Sequence, residues 1–363
     1  MKILLTAINA KYIHSNLAVY SLKAAAGVFG EQVEIGEYTI NQKTEQILKD
    51  IYRRQPDVVA FSCYIWNRRM VEELIRELPK VLPGVRLWAG GPEVTYDARA
   101  FLEACPKAAG VMRGEGEETF CRLAAYYIEG ECLLSGIRGL TYRGEDGQIH
   151  ETEEREPADM DRLLFALENP ERFTNRIVYY ESSRGCPFRC SYCLSSVERQ
   201  VRFRSMELVE KELLFFLKAQ VPQVKFVDRT FNLDPGRTAR LWQWLLEHDN
   251  GITNFHFEIG ADLLTEEELA IMSRMRPGLI QLEIGVQSTN GDTIRGIDRT
   301  MDLERLKAAV RRIKGFHNIH QHLDLIAGLP FEDLKSFRRS FDEVYELEPE
   351  QLQLGFLKVL KGS

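Results

Sequence analysis

Short apolar runs alternate with amphipathic stretches along the first 150 residues of the chain. Residues 2–8, 57–63 and 85–91 are apolar runs of strand length, and each predicts a buried strand. Between them apolar residues recur at helical spacing, as at Ile47 and Ile51. Strands that alternate with helices indicate βαβ units. This part is therefore predicted to be an α/β domain with a flavodoxin-like (Rossmann-type) parallel sheet, followed by a small hairpin with Asp146-Gly147 at its turn.

A second series of strand and helix patterns begins at Arg176. Helix starts are marked by N-cap residues at Asp234, Thr265 and Asp333. Six parallel strands with outer helices predict a partial (β/α)6 barrel that is open on one side. The sequence ends soon after the sixth candidate, at Ser363, which is compatible with a truncated barrel. The six strand candidates are VYYE, VKFV, FHFEI, IQLEI, HLDLI and LQLGF.

The stretch between the two series has a different composition. Residues 151–175 are acidic, contain two prolines and lack strand signals, which is typical of a linker. We therefore predict an α/β domain over 1–150, an acidic linker over 151–175 and a barrel over 176–363.

Composition and charge narrow the class of protein. Hydrophobic residues make up 44% and charged residues 28%, which is typical of a globular protein. No apolar run reaches the roughly 18 residues that a membrane span requires, and the start lacks the features of a signal peptide, so we expect a cytoplasmic protein without a membrane partner. The net charge is −7 and no long basic tract occurs, which argues against a nucleic-acid partner.

Three of the seven cysteines fall within eight residues, at Cys186, Cys190 and Cys193. The odd number of cysteines in such a chain argues against a disulfide framework and favours a metal or catalytic role. Three thiolates on one loop can bind three irons of a four-iron cluster and leave the fourth iron open. A zinc site is an alternative, although structural zinc usually takes four protein ligands and no second C-x-x-C occurs. A packing role for the three thiols is the other alternative.

The segment SSRGCPFRCSYC, with its C-x3-C-x2-C spacing after the first barrel strand, resembles the radical S-adenosylmethionine (SAM) superfamily. The resemblance implies that the amino and carboxylate groups of SAM chelate the open iron of a [4Fe-4S] cluster. It also implies reductive cleavage of SAM to a 5′-deoxyadenosyl radical, with an electron from a partner such as flavodoxin or ferredoxin.

The same resemblance implies a set of SAM contacts near the carboxyl ends of the barrel strands. The segment LEIGVQS resembles the fourth-strand signature of coproporphyrinogen dehydrogenase-like members. The second strand departs from the family, because VDRTFN stands where many members have glycines. The implied SAM-binding residues are Tyr192, Asp228, Arg229, Glu258, Gln287, Ser288, Arg299 and Asp324.

The front half is similar to the domain of the cobalamin (B12)-binding radical SAM class, through VVAFSC, WAGGPEVT and RGEGEETF. The chain has no D-x-H-x-x-G motif, which is the motif of proteins that ligate cobalt through histidine. A degenerate domain that packs on the barrel without binding cobalamin is the alternative. The residues that the resemblance places near the corrin are His14, Ser62, Tyr64, Gly90, Gly91, Pro92 and Glu115.

These features predict a radical SAM enzyme that uses cobalamin to methylate, or otherwise modify, an unactivated carbon of a small molecule or a peptide. A cobalamin-independent oxidation or rearrangement of the coproporphyrinogen dehydrogenase type is the main alternative. Methylthio transfer ranks low, because the front half has no second group of three cysteines. A noncatalytic iron–sulfur sensor is the alternative from another class.

Overall fold

The computed structural model describes residues 1–130, 132–167, 170–173 and 175–363. The chain forms two compact units, Met1–Asn169 (unit 1) and Pro170–Lys361 (unit 2). Within the described ranges, no helix is both long enough and apolar enough to cross a membrane.

Unit 1 is built on a seven-stranded sheet in the order β2-β1-β3-β4-β5-β6-β7 over its described residues. The strands are β1 (Ile3–Asn9), β2 (Val33–Thr39), β3 (Val58–Ser62), β4 (Arg86–Gly90), β5 (Gly110–Met112), β6 (Leu140–Arg143) and β7 (Ile149–Glu151). The helices are α1 (Leu17–Ala25), α2 (Thr44–Arg54), α3 (Arg68–Val81), α4 (Pro92–Thr95), α5 (Ala98–Ala104) and α6 (Glu117–Ile128).

The first five strands are parallel and have the order 2-1-3-4-5, which is the flavodoxin-like order. All seven residues of β1 are buried, as expected for a central strand whose two faces are both covered. β6 and β7 pair antiparallel, which confirms the predicted hairpin. The predicted flavodoxin-like domain is thus confirmed, and it carries an antiparallel extension at the β5 edge.

Unit 2 contains a six-stranded parallel sheet in the order β15-β14-β13-β12-β11-β8 and a short antiparallel pair, β9 with β10. The strands are β8 (Val178–Tyr180), β9 (Ser183–Arg184), β10 (Arg202–Phe203), β11 (Gln223–Phe226), β12 (Asn254–Ile259), β13 (Ile280–Gln287), β14 (His320–Ala327) and β15 (Gln351–Phe356). The helices are α7 (Met206–Lys218), α8 (Pro235–Glu247), α9 (Glu266–Met272), α10 (Gly291–Gly296), α11 (Leu303–Lys314) and α12 (Leu334–Tyr345).

Five consecutive parallel pairings join the six strands, and no closing pair between β15 and β8 occurs in the described residues, so this unit is an open barrel, which confirms the predicted partial (β/α)6 architecture. All six strand candidates are strands. The three predicted N-caps are also confirmed, since the side chains of Asp234, Thr265 and Asp333 each accept a hydrogen bond from a backbone N–H in the first turn of their helices.

Alternation along the barrel strands separates an apolar face from a polar face. On β12, Phe257 packs against Trp242 of α8 and against Phe231, so the odd-numbered residues face the helices. His256 and Glu258 then face the opposite side, because side chains alternate along a strand. The interior of this barrel is therefore charged, whereas closed barrels of this type are usually filled with branched apolar residues.

Seven short 3₁₀ turns complete the described secondary structure, at Gly27–Phe29, Leu134–Gly136, Met160–Arg162, Pro170–Phe173, Leu194–Ser196, Phe231–Leu233 and Ala261–Leu263. The segment after β7 is held on the rest of unit 1 by hydrogen bonds that include two from Arg155 and Ala158. Arg155 Nε donates to Thr119 Oγ1 at 3.0 Å, and the backbone N–H of Ala158 donates to Glu115 Oε2 at 2.8 Å. The first part of the predicted linker thus lies on the α/β domain.

Candidate active site

The cysteine loop leaves the barrel after the short strand β9. Its backbone is fixed at both ends, since the N–H of Cys186 donates to the carbonyl oxygen of Glu198 and the N–H of Ser191 donates to that of Ile297, both at 2.9 Å. Cys186 and Cys190 are each 7% exposed, and Cys193 is half-buried. Packing therefore holds the three thiols in a defined loop on the side of the barrel where the strands end.

The chemistry of the donor set fits an iron–sulfur cluster with one open iron. All three thiols are free of disulfide bonds, and the other four cysteines of the chain lie in unit 1. Burial raises the pKa of the Cys190 thiol, as do the charges of Cys193 and Cys186, whereas Arg299 lowers it. Such neighbouring thiols bind iron as thiolates, so assembly of a cluster here would release their protons.

The residue before Cys186 must be glycine. Gly185 has a φ of +92°, and a Cβ at this position would lie 2.2 Å from the backbone oxygen of Gln200 on the other arm of the loop. Both features exclude a side chain unless the loop opens.

We expect Gly185→Ala to prevent stoichiometric loading of the cluster although all three cysteines remain. The measurement is iron and sulfide content after anaerobic reconstitution. Gly251→Ala is the matched control, because Gly251 also has a positive φ, of +74°, but its Cβ would meet nothing within 4 Å. Equal iron content in the two variants would show that the close approach at Gly185 does not shape the loop.

The guanidinium group of Arg299 contacts the cysteine loop. Its Nη1 lies 3.7 Å from Cys190 Sγ and 3.5 Å from the hydroxyl oxygen of Tyr192, and its Nη2 donates to the carbonyl oxygen of Gly285. Burial raises the pKa of Tyr192 to about 12, so this residue remains a neutral hydrogen-bonding group. A positive charge therefore stands beside the thiols, at the carboxyl end of β13.

Gln287 adds an unsatisfied polar atom at the same end of β13. Its Oε1 is buried without a hydrogen-bond partner among the described residues, and its φ is +70°. Positive φ values at residues other than glycine are uncommon and cluster at functional sites. A buried carbonyl oxygen without a donor fits a site that receives a ligand with N–H or O–H groups.

Three other residues that were predicted to contact SAM, which are Asp228, Ser288 and Arg229, either bond to other protein groups or lie at the surface. Asp228 is fully buried and accepts hydrogen bonds from the N–H of Ser182, from Ser182 Oγ and from Ser183 Oγ. Ser288 Oγ donates to Glu332 Oε1 at 2.6 Å, and Arg229 is exposed. Asp228 therefore fixes the backbone that leads into the cysteine loop, and its oxygens are already in use.

The remaining predicted contacts, Glu258 and Asp324, belong to a charged network inside the barrel. Lys225 Nζ lies 2.7 Å from Glu283 Oε2 and 3.3 Å from Glu258 Oε1. Burial raises the pKa of Glu258 and that of Asp324. Burial also opposes ionisation of Glu283, but His256 and Lys225 outweigh it and lower the pKa of Glu283 to about 2.

Sequence reasoning missed four members of this network, which are Lys225, His256, Glu283 and His322. The sequence contained a signal for them. The segments KF, HFEI, LEI and HLDLI alternate polar and apolar residues, so the polar positions of these predicted strands were candidates for a shared polar face. Side chains alternate between the two faces of a strand, so every second residue of these strands faces the barrel interior, and here those residues are polar.

In unit 1, several predicted cobalamin residues gather at the carboxyl ends of β1 and β3. The side-chain amide of Asn16 donates to Ser62 Oγ at 3.0 Å, and that of Asn9 donates to the carbonyl oxygen of His14 at 3.0 Å. Tyr64 stacks on Trp66 with a centroid distance of 4.5 Å. In this sheet order, β1 and β3 form the switch point at which doubly wound sheets bind their ligands.

The neighbouring strand β4 adds the glycines to the same edge. Gly90 is paired with Ser62 in the sheet. Gly91 has a φ of +106°, and a Cβ at this position would lie 2.6 Å from the carbonyl oxygen of Cys63. Pro92 begins α4 directly afterwards. Glu115 follows β5 and accepts the hydrogen bond from Ala158, so its Oε2 is in use.

Two family models match the chain. The B12 binding domain matches residues 3–124, and the radical SAM superfamily matches residues 180–344.

Curated relatives include the cobalamin-dependent radical SAM methyltransferase TokK of Streptomyces tokunonensis, which is 27% identical over 80% of this chain and 45% of the relative. The uncharacterized methyltransferase PH0819 of Pyrococcus horikoshii is 25% identical over 79% of the chain and 63% of its own length. The chain thus spans about half the length of the first curated relatives that it matches.

Solved structures show the same fold. The radical SAM methyltransferase TsrM from Kitasatospora setae, solved with cobalamin and a [4Fe-4S] cluster, matches with a TM-score of 0.79 at 17% identity, over 99% of this chain and 73% of that one. The cobalamin-dependent SAM radical enzyme OxsB, solved with aqua-cobalamin and SAM, matches with a TM-score of 0.74 at 19% identity, over 93% of this chain and 51% of that one.

Proposed function

Because the chain belongs to the radical SAM superfamily and carries a B12-binding domain ahead of its radical SAM domain, we propose that it cleaves SAM to methylate an unactivated carbon with the help of cobalamin. The observation that carries the proposal is the loop of three free thiols beside Arg299 at the end of an open parallel barrel. The relatives TokK and TsrM, which are named as methyltransferases of this class, support it.

Cys186, Cys190 and Cys193 would hold three irons of the cluster, and the packing of the loop would leave the fourth iron accessible to SAM. When bound, the cluster supplies the electron that cleaves SAM, and cobalamin supplies the methyl group. Arg299 is placed to hold a carboxylate next to the loop, because its guanidinium lies beside both Cys190 and Tyr192. Gln287 Oε1 is free to accept a hydrogen bond from the same ligand.

Asp228 and Ser288 would act on SAM binding indirectly. The carboxylate of Asp228 positions Ser182 and Ser183 ahead of the cysteines, and Ser288 positions the turn after β13 through Glu332. Glu258 and Asp324 would face the ligand from the barrel interior, with Arg229 at its exposed rim.

Cobalamin would bind at the carboxyl edge of the unit 1 sheet. The half-buried ring of Tyr64, stacked on the exposed Trp66, supplies an aromatic surface, and Gly90 and Gly91 let a flat ligand approach the backbone. His14, Ser62, Pro92 and Glu115 are the other residues that we assign to this site. The substrate would be a small molecule, a peptide being the alternative, and flavodoxin or ferredoxin would supply the electrons in the reducing environment of the cytoplasm.

The test is anaerobic reconstitution with iron, sulfide and hydroxocobalamin, followed by desalting, spectroscopy and assay with SAM and a strong reductant. We expect a corrin spectrum that survives desalting and formation of 5′-deoxyadenosine. The formation of 5′-deoxyadenosine without retained corrin would support cobalamin-independent oxidation or rearrangement instead. A cluster without any SAM cleavage would contradict both enzymatic proposals and favour a sensor.

A further inference from the structure

Thr230 is a polar residue beside the cysteine loop that the predicted SAM contacts do not include. It lies in the segment that follows β11, two residues after Asp228. Its Oγ1 lies 3.8 Å from Cys186 Sγ, which is within hydrogen-bonding reach of a sulfur atom. Thr230 directly precedes the 3₁₀ turn Phe231–Leu233, but its side chain makes no capping hydrogen bond to that turn. Among the described residues, the sulfur of Cys186 is therefore the partner of this hydroxyl.

The backbone on both sides of this contact is held by buried groups. Two residues before Thr230, the carboxylate of Asp228 accepts hydrogen bonds from the backbone N–H and from the hydroxyl of Ser182. Ser182 in turn lies four residues before Cys186. Directly after Thr230, Phe231 is 3% exposed and packs in the aromatic cluster of the barrel wall. Buried anchors thus hold the hydroxyl next to the sulfur.

The direction of this hydrogen bond depends on the protonation state of Cys186. A thiol can donate or accept, whereas a thiolate bound to iron has no proton and can only accept. With a cluster in place, the hydroxyl of Thr230 would therefore donate to Cys186 Sγ. Reduction adds negative charge to the cluster and its sulfur ligands, and hydrogen bonds to these sulfurs help to set the reduction potential. A donor stabilises the more negative, reduced form more strongly, because the attraction grows with the charge on the acceptor.

We propose that Thr230 is a positioning residue that acts on the cluster through Cys186, and that its hydroxyl raises the reduction potential of the cluster. The inference rests on the cluster of the proposed function, since it requires iron bound to the three cysteines. Cys190 has a different neighbour, because Arg299 Nη1 lies 3.7 Å from its sulfur. Thr230 is a neutral donor at a separate sulfur, so it acts on the cluster without holding the carboxylate that we assign to Arg299. At the potential of a given electron donor, a larger fraction of the cluster is then reduced.

The test is a redox titration of the reconstituted chain without SAM or substrate, in which electron paramagnetic resonance measures the reduced cluster. Thr230→Val replaces the hydroxyl by a methyl group, so the side chain keeps its shape and loses its donor. At a fixed applied potential we expect the ratio of reduced to oxidised cluster to fall about tenfold, which for one electron is a shift of about 59 mV to more negative values. Iron and sulfide content should stay at the wild-type level, because all three cysteines remain.

Two more variants at the same position separate the hydroxyl from packing. Thr230→Ser keeps the donor and should retain the wild-type potential, whereas Thr230→Ala should shift the potential in the same direction as the valine variant. Thr253→Val is the matched control at the opposite end of the barrel strands. Thr253 is fully buried directly before β12, and its Oγ1 accepts a hydrogen bond from Asn250 Nδ2 at 2.9 Å, so this variant loses a buried hydroxyl without affecting a sulfur.

The outcomes distinguish this inference from the proposed function. An unchanged potential in both Thr230→Val and Thr230→Ala, a shift in Thr230→Ser equal to that of the valine variant, or an equal shift in Thr253→Val would overturn the role of Thr230 and leave the proposed function intact. Absence of a four-iron cluster in the wild-type chain would overturn both. The expected potentials without any cleavage of SAM in a separate assay would overturn the proposed function alone.

Discussion

Cys190→Ala is expected to remove the cluster and to reduce 5′-deoxyadenosine formation to the level of a protein-free control. With Cys190 absent, only two thiolates remain on the loop, and a cubane with one open iron requires three protein ligands. Cys190 is also the cysteine beside Arg299, at 3.7 Å, so its loss separates the loop from the charge that we assign to SAM binding. No other cysteine of unit 2 is available as a substitute ligand.

The measurement is the iron content, the absorption spectrum and the yield of 5′-deoxyadenosine after identical reconstitution. Cys121→Ala is the control, since Cys121 is a half-buried cysteine on α6 of the other unit and should leave all three quantities unchanged. If the Cys190 variant retained a full cluster and still cleaved SAM, the assignment of the three ligands would be wrong.

Local patterns were sufficient to predict the architecture. Strands such as 3–9 and 254–259 are short and apolar or alternating, and the N-caps at Asp234 and Thr265 act within a few residues of the helices that they start. The cysteine triplet is equally local, because its three ligands fall within eight residues. Features whose partners are close in sequence could therefore be found without a structure.

Partners that are distant in sequence could not be predicted in the same way. Asp228 resembled a ligand-binding acid at a strand end, but its oxygens bind Ser182 and Ser183, which lie more than forty residues earlier. The placement of Glu283 opposite His322 depends on the register between two strands. Register is set by packing of the whole barrel, so the sequence showed these residues only as polar positions in strands.

Glu212→Ala is expected to destabilise unit 2 by about 3–5 kcal/mol, because it leaves a buried charge without its partner. Glu212 accepts hydrogen bonds from the guanidinium of Arg204 through both oxygens and from the hydroxyl of Tyr180 at 2.7 Å. All three side chains are buried. The backbone N–H of Arg204 also donates to the carbonyl oxygen of Ser182, so the network braces the segment that leads into the cysteine loop.

The measurement is the free energy of unfolding in urea, and the control lies on the same helix, α7. Glu210 pairs with Arg240 at the surface, and Glu210→Ala should cost less than about 1 kcal/mol, since exposed ion pairs contribute little. Replacing all three buried groups together, as Arg204→Met with Glu212→Leu and Tyr180→Phe, should recover most of the loss because no buried charge or hydroxyl is then left unpaired. Equal losses of unfolding free energy for the Glu212 and Glu210 variants would contradict the prediction, because they would show that the buried network does not stabilise the barrel.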